Sequence, residues 1–327
     1  CCSQGRLQIA EVAELADAHD SGSCGLKSVR VQIPPSAPSI KVVKVNVPYA
    51  TKGRVGWYRP GFFKLISLTD RWIYLNIFRM VVERLNEVDF YNYKVLCGEA
   101  NEIRNHLVTC IEDNQKLFVV TLNSQIFLKA LELPEYNDAI EHATFHLPDG
   151  AGVVWAIKKH CKIITDRVPG IDTMQYLCEE SKTRGWKVYL LGAKPDVVKL
   201  AAERLVEHSV DVVGYHHGYF TDETPSREIE RLKPDLLFVG MGAPRQELWI
   251  HDHIDLPFKL AMGVGGSFDV IAGVKKRAPK FFQRMRLEWF YRWLSEPISR
   301  SSVPVDVLKF YFKVIFDGKD GNCKKIH

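Results

Sequence analysis

The chain contains no long apolar run; no stretch approaches the roughly 18–20 uninterrupted apolar residues that a spanning helix needs. Its first thirty residues lack the basic-then-apolar pattern of an export signal, and the sequence starts at Cys1 rather than at Met. Neither export nor membrane spanning is expected from these features. Cysteine is sparse and scattered, at positions 1, 2, 24, 97, 110, 161, 178 and 323, with no CxxC pair and no Cys/His cluster at zinc spacing. Free thiols in a reducing compartment are expected, and a disulfide framework is not. The dinucleotide fingerprint GxGxxG and the P-loop are both missing. So is Asp-x-Asp, the carboxylate pair that can hold a divalent ion against a diphosphate. No internal repeat is visible.

What is present suits an ordinary globular protein. Of 327 residues, 46% are hydrophobic and 25% charged, enough for one large domain or two modest ones. The net charge of +5 is unevenly placed. Between Lys275 and Arg300, eight cations face only Glu288 and Glu296, so that segment carries +6 and the rest of the chain about −1. Such a local excess calls for a local anionic partner, whether phosphate, anionic lipid or nucleic acid.

Residues 1–45 show little periodicity, and Pro34, Pro35 and Pro38 interrupt any regular element there, so a flexible segment is expected. The apolar clusters of residues 62–88 read as helical. From about residue 94 short apolar runs alternate with helical stretches. Residues 117–120 (LFVV), 187–191 (KVYLL), 210–213 (VDVV), 235–239 (DLLFV) and 259–262 (KLAM) read as buried strands, and residues 196–208 as a helix between two of them. Strands alternating with helices pair in parallel through right-handed crossovers, and continuously apolar strands are covered on both faces. The fold class is therefore α/β: a Rossmann-like, mostly parallel sheet with helices on both faces, followed by a basic helical appendage at the C-terminus. The expected domains are an N-terminal extension over residues 1–90, the Rossmann-like domain over 91–270, and a basic amphipathic appendage over 271–327.

Ligands of such sheets bind beyond the carboxyl ends of the strands. On that rim lie Thr121 and Asn123, Gly192, the turn at Gly240 and Gly242, and the turn at Gly263, Gly265 and Gly266. Glycines there allow tight turns and close backbone approach, and a helix start beyond them offers free N–H groups to an anion. Each glycine cluster by itself is a plain turn as readily as a phosphate site; two on one rim favour a nucleotide diphosphate. Asp149 stands in an Asp-Gly turn ahead of an apolar helical run, where it is a helix-start residue or a carboxylate available for proton transfer. Thr121 and Asn123 suit ordinary capping, and Arg167 a surface cation. In the basic segment, Phe281, Met285, Trp289 and Trp293 recur at i+4 spacing, as on one apolar helix face; core packing is the default, and an interfacial helix is the alternative.

Nine short motifs then occur in order: TLN (121–123), PDGAGVV (148–154), RVPGID (167–172), LLGAKP (190–195), HGYF (217–220), GMGAPRQE (240–247), GVGGSFD (263–269), RAP (277–279) and LEWFYR (287–292). Together they resemble the WecG/TagA/CpsF glycosyltransferases over about residues 94–300. Ala193 and Lys194 stand where that family more often has Gly and a small residue. The resemblance implies a Rossmann-like enzyme distinct from the A-type and B-type transferases. It implies a UDP-linked donor, often an N-acetylmannosamine derivative, and an undecaprenyl-diphosphate-linked acceptor. It implies Asp149 as general base, with Thr121 positioning substrate, Arg167 meeting charge at the reacting centre and Gln246 contacting substrate. The family's basic C-terminal appendage closes the site and approaches the membrane.

The expected function is thus inverting, metal-independent transfer from a UDP-sugar to a polyprenyl-diphosphate-linked acceptor in cell-surface polysaccharide synthesis, without cofactor or metal. Asp149, Thr121 and Arg167 are the catalytic candidates. Asn123, Gly192, Gly240, Gly242, Gln246, Glu247, Gly265, Gly266, Arg277 and Arg292 are the substrate-binding candidates. With Asp-x-Asp absent, charge on the leaving UDP falls to Arg, Lys and backbone N–H groups. The expected partners are the donor, the acceptor and an anionic membrane surface at the inner face of the cell membrane, with no nucleic acid; self-association stays open. Two alternatives are weighed against this. A nucleotide-binding oxidoreductase would need the missing GxGxxG and an acid about 20 residues on. A non-enzymatic basic scaffold at a membrane would not require two glycine turns or a turn carboxylate.

Overall fold

Antiparallel strands open the described part of the chain: β1 (Lys27–Val31) pairs with β2 (Val43–Val47). The computed structural model describes residues 27–31, 43–47, 85–279, 281–282, 285, 287–298, 301–317 and 323–326. The chain divides into two units, residues 1–74 and 75–327. The paired strands differ from the flexible segment expected for residues 1–45. The three prolines fall between them, outside the described residues, and interrupt neither strand. The expected helices of residues 62–84 also lie outside the described residues.

The second unit is built on one sheet. Its strands are β3 (Asn86–Phe90), β4 (Tyr93–Cys97), β5 (Leu117–Leu122), β6 (Phe145–Pro148), β7 (Val188–Gly192), β8 (Val212–His216), β9 (Leu236–Gly240), β10 (Leu260–Gly263) and β11 (Cys323–Ile326). They lie in the order β11-β3-β4-β6-β5-β10-β9-β7-β8. From β4 to β8 every pairing is parallel; β3 and β11 run antiparallel at one edge. Residues 86–88, read above as helical, belong instead to the β3–β4 hairpin. Tyr91 and Asn92 turn it with φ of 55° and 66°, the left-handed pair that matches the twist of the flanking strands.

The central strands alternate between two cores. Leu117 and Val119, Val188 and Leu190, and Leu236 and Phe238 face one apolar layer, whereas Phe118 and Val120, Tyr189 and Leu191, and Leu237 and Val239 face the other. Both layers are covered by helices, so β5, β7, β9 and β10 are buried along their whole length. This is the α/β arrangement that the continuous apolar runs predict. The third strand starts two residues later than its sequence suggests, at Val212, because Val210 belongs to the buried turn after the preceding helix (Pro195–Glu207).

The helices that position the site are α1 (Ala100–Glu112), α2 (Ser124–Glu132), α3 (Pro134–Glu141), α4 (Ala151–His160) and α5 (Gly170–Arg184), each named in chain order. They are followed by α6 (Pro195–Glu207), α7 (Thr224–Leu232), α8 (Arg245–Asp252), α9 (Ser267–Ile271), α10 (Glu288–Ser295) and α11 (Val303–Phe316).

In the C-terminal segment, Lys275, Lys276 and Arg277 precede α10 in irregular backbone, and α11 carries Lys309 and Lys313 with Asp306; the side chains of Lys280, Arg284, Arg286, Arg292 and Arg300 lie outside the described residues. The i+4 stripe is broken: Met285 lies in a turn, Leu287 donates its N–H to Phe282 O at 2.8 Å, and α10 starts only at Glu288. α11 packs into the second core through fully buried Phe310 and Val314, and the Phe310 ring stands 5.2 Å from that of Phe127. Burial of side chains this large stabilises the docking by about 1.5–3 kcal/mol each. Finally, β11 returns to the sheet edge and Cys323 forms a disulfide with Cys161, at the end of α4. The expectation of free thiols holds for buried Cys97, Cys110 and Cys178. It fails for this pair because strand pairing brings together residues 162 positions apart.

Candidate functional site

A cavity of about 480 Å³ opens at the carboxyl end of β5 and β6. Thr121, Asn123, Asp149, Arg167 and Gly266 line it together, although they come from four separate motifs. The parallel sheet explains the convergence, since every strand delivers its carboxyl end to the same rim.

Each of these residues is held by local packing. Thr121 is buried near the end of β5, and its hydroxyl donates to Gly263 O at 3.3 Å on the neighbouring strand. Asn123 caps α2: its Oδ1 accepts from Gln125 N at 3.0 Å and Ile126 N at 3.1 Å. The ordinary capping role therefore occupies that oxygen. Asp149 follows β6 in a turn whose amide donates to Leu122 O at 3.0 Å, and Gly150 is the cap of α4. The approach is tight. A Cβ on Gly150 would lie 3.2 Å from Asn123 Cα, and one on Gly170 only 2.9 Å from Thr121 Cγ2. Glycine at both positions thus lets the starts of α4 and α5 close on β5.

Helix starts give the cavity its electrostatic character. Ser124 and Gln125 of α2, Ala151 and Gly152 of α4, and Gly170 and Ile171 of α5 all line it. The N-cap residues of α4 and α5, Gly150 and Pro169, make no side-chain cap hydrogen bond. Their first-turn N–H groups are donors without intrahelical partners, at the positive end of the helix dipole. Such a helix terminus favours a bound anion.

The charged wall is an ion network. Arg167 Nη2 lies 2.5 Å from Glu288 Oε2. Glu288 Oε1 is 3.4 Å from Arg277 Nε, and Arg277 grips Asp172 with both terminal nitrogens, at 2.5 and 2.8 Å. Hydrogen bonding to Asp172 is the main influence holding the Arg277 guanidinium above its ordinary range, with burial acting against it. Glu288 is buried, so two guanidinium groups compensate its charge where solvent cannot. Arg277 does not itself line the cavity; it joins the network behind Glu288. Arg292 belongs to α10, and its side chain lies outside the described residues. The far wall is apolar and comes from the C-terminal segment: Trp155 of α4 meets Tyr311 of α11 with ring centroids 4.6 Å apart, beside Phe310.

The remaining candidates lie outside the lining. Gly192 and Gly240 face each other on β7 and β9; a Cβ on Gly192 would meet Gly240 O at 2.4 Å, so close backbone approach requires glycine there. Gln246 is buried at the start of α8. Its Oε1 accepts from both Gly242 N and Gly265 N at 3.0 Å, and its Nε2 donates to Glu247 Oε1 at 2.6 Å. Glu247 is fully buried and also accepts from Tyr136 OH at 2.9 Å. Burial pushes its carboxyl up to about 7, against the pull of these hydrogen bonds. Gln246 and Glu247 thus brace the two glycine turns from below.

The sequence reading missed Glu288 and Asp172 as members of the site. Both stand inside quoted motifs, LEWFYR and RVPGID, but an acid within a basic segment reads as a mere charge offset until its partners are seen. The apolar wall of Phe310 and Tyr311 had no motif to reveal it.

The chain is similar to known proteins. The family described as "Glycosyl transferase WecG/TagA/CpsF family" matches residues 88–323. An N-acetylglucosaminyldiphosphoundecaprenol N-acetyl-beta-D-mannosaminyltransferase of Bacillus spizizenii is 35% identical over 223 residues, covering 67% of this chain and 85% of the relative. A protein of the same name from Staphylococcus aureus is 38% identical over 205 residues, covering 61% of this chain and 81% of the relative.

Proposed function

The chain belongs to the WecG/TagA/CpsF family of glycosyl transferases, and from that membership we propose that it moves an N-acetylmannosamine-type sugar from a UDP-sugar onto a polyprenyl-diphosphate-linked sugar. The relatives' names supply the sugar and the lipid-linked acceptor class. The carrying observation is the placement of Asp149 in one cavity with the starts of α4 and α5 and with Arg167.

The chemistry follows from that placement. A sugar hydroxyl is a weak nucleophile, and a carboxylate within hydrogen-bond reach takes its proton as the new bond forms, typically contributing about 10²–10⁴-fold. The acceptor oxygen bonds to the anomeric carbon, the carbon–oxygen bond to the diphosphate breaks, and UDP leaves with the electron pair. One displacement inverts the anomeric centre. Asp149 is the base. The first-turn N–H groups of α4 and α5 and the Arg167 guanidinium meet the leaving charge, a task that needs preorganised donors rather than a metal ion. Arg167 spends one terminal nitrogen on Glu288, and the planar fork has further donors for the diphosphate. Thr121 braces the floor on which the sugar rests.

The acceptor is lipid-linked, so the cavity must reach a bilayer. Among the described residues no helix is long and apolar enough to cross one. Leu308, Phe312, Ile315 and Phe316 instead form an exposed apolar face on α11, the helix whose other face lines the cavity. Lys309 and Lys313 flank that face. Such a helix lies in the interfacial plane, with anionic lipid attracted by its cations.

The test is a panel of UDP-sugars, with and without EDTA, assayed against a short-chain polyprenyl-diphosphate N-acetylglucosamine acceptor. Transfer from the N-acetylmannosamine donor in EDTA, with inverted product, is expected. No transfer from any UDP-sugar overturns the reading. Activity that disappears in chelator and returns with Mn²⁺ overturns its metal-independent form.

A further inference from the structure

On a seam distant in role from the cavity, α3 packs against α8. Its inner end is the buried Tyr136–Glu247 hydrogen bond. Its outer end gathers Asp138 and His142, four residues apart at the end of α3, and His251, four residues beyond Glu247 on α8. Side chains four apart share a helix face, so the two helices turn these three groups toward each other. Asp138, His142 and His251 each offer one ligand atom, and these atoms all lie within 4.8 Å of one another. None of the three lines the cavity.

From this clustering we propose that Asp138, His142 and His251 bind one transition-metal ion of the zinc class, through two imidazole nitrogens and one carboxylate oxygen, with water completing the shell. The donor set selects the ion. Imidazole suits zinc, nickel and copper, whereas calcium and magnesium require mostly oxygen. The reach also fits. Bonds of about 2.0–2.1 Å around a tetrahedral ion place its ligand atoms about 3.3 Å apart. His251 Nε2 is already 4.0 Å from Asp138 Oδ2, and the ligand atoms of all three residues lie within 4.8 Å of one another. All three side chains retain solvent access, so small rotations close the remaining gap. The His142 ring is partly oriented already, because its Nδ1 lies 2.8 Å from the Asp138 carbonyl oxygen. As a donor to that oxygen, Nδ1 fixes the tautomer that leaves Nε2 free to ligate.

An ion here ties α8 to α3 at the surface end of the seam. Because α8 carries Gln246 and Glu247, the ion steadies the helix that braces the Gly242 and Gly265 turns. The role is structural, and it stands independently of the transfer reaction.

The experiment titrates ZnCl₂ into the full-length, metal-stripped chain and into its His142→Ala/His251→Ala variant, following heat of binding and melting temperature. Both histidines are at least partly exposed, so the variant folds. The expected result is a zinc equivalent that the parent binds and the variant binds more than about tenfold less tightly, with a melting rise confined to the parent. MgCl₂ is expected to give neither signal. Equal zinc stoichiometry and affinity in both proteins, no zinc uptake by either, or an equal response to Mg²⁺ overturns the site.

Discussion

Glu288 holds Arg167 through an ion pair of 2.5 Å inside the cavity wall, so the cation proposed to meet the leaving diphosphate is already paired with the protein's own carboxylate. The same carboxylate reaches Arg277, which is anchored on Asp172. A diphosphate entering the cavity therefore shares, or competes for, Arg167. Glu288→Gln is expected to tighten UDP binding about fivefold, about 1 kcal/mol, because the released Arg167 then has the diphosphate to pair with. Calorimetric titration of UDP checks this. Weaker binding in the variant would show that Glu288 organises the arginines for the ligand rather than rivalling it.

Asp149 is the proposed base. Asp149→Asn keeps the shape and removes the proton acceptor, so turnover is expected to fall by about 10²–10⁴. UDP affinity and melting temperature stay near those of the parent. Near-normal turnover would assign the proton to another group or to water.

The buried carboxyl of Glu247 makes stability depend on pH. Its ordinary value is 4.5 and burial raises it to about 7 in the folded chain. Below about 4.5 both states hold the proton. Between there and about 7 the folded state keeps a proton that the unfolded chain has lost, so stability falls as pH rises through this window, and above it the penalty is constant. Glu247→Gln keeps an acceptor oxygen and does not titrate. Urea midpoints measured from pH 4 to 8 are expected to decline less with pH in the variant. Parallel curves for the two proteins would remove Glu247 from the pH dependence.

The outer face of α11 is the remaining handle. Removing the whole C-terminal segment would uncover the core that Phe310 and Val314 fill, so a truncation confounds folding with lipid binding. Leu308→Ser, Phe312→Ser and Phe316→Ser combined alter only exposed positions. Co-sedimentation with anionic vesicles is expected to drop severalfold in this variant, while transfer to a water-soluble short-chain acceptor persists. Unchanged vesicle binding would dismiss α11 as the membrane face.

Much of this protein is legible without coordinates. The apolar runs in β5, β7, β9 and β10 are local, and burial on both faces leaves no other pattern open to them. Their parallel pairing follows from the helices between them, and the shared rim follows from the pairing. That is why Thr121 and Gly266 are identifiable as neighbours from motifs far apart in the chain, whereas Asp149 and Arg167 join them only through the family resemblance. The glycines at 192 and 240 are equally visible as strand-end turns, but their purpose is not. Only the coordinates show that Gly192 meets the Gly240 carbonyl, and that Gln246 faces the two glycine turns rather than the cavity.

What the tertiary structure decided are the relationships that depend on long-range closure. Residues 86–88 form a strand because β4 offers them an edge, whatever their local periodicity. Cys161 and Cys323 meet because β11 pairs with β3. Glu288 changes from a stray acid in a basic segment to the centre of an ion network because the fold sets the first residue of α10 beside Arg167 and Arg277. The i+4 stripe fails as one helix because the chain must turn at Met285 and Leu287 before α10 begins, and the later aromatic Phe310 is claimed by the core beside Phe127. Local sequence dictates which residues are buried and which strands form, since burial and backbone propensity act over a few residues. The partners of a charge, a thiol or an aromatic ring are set by elements more than a hundred positions apart, and only the closed sheet and its covering helices specify them.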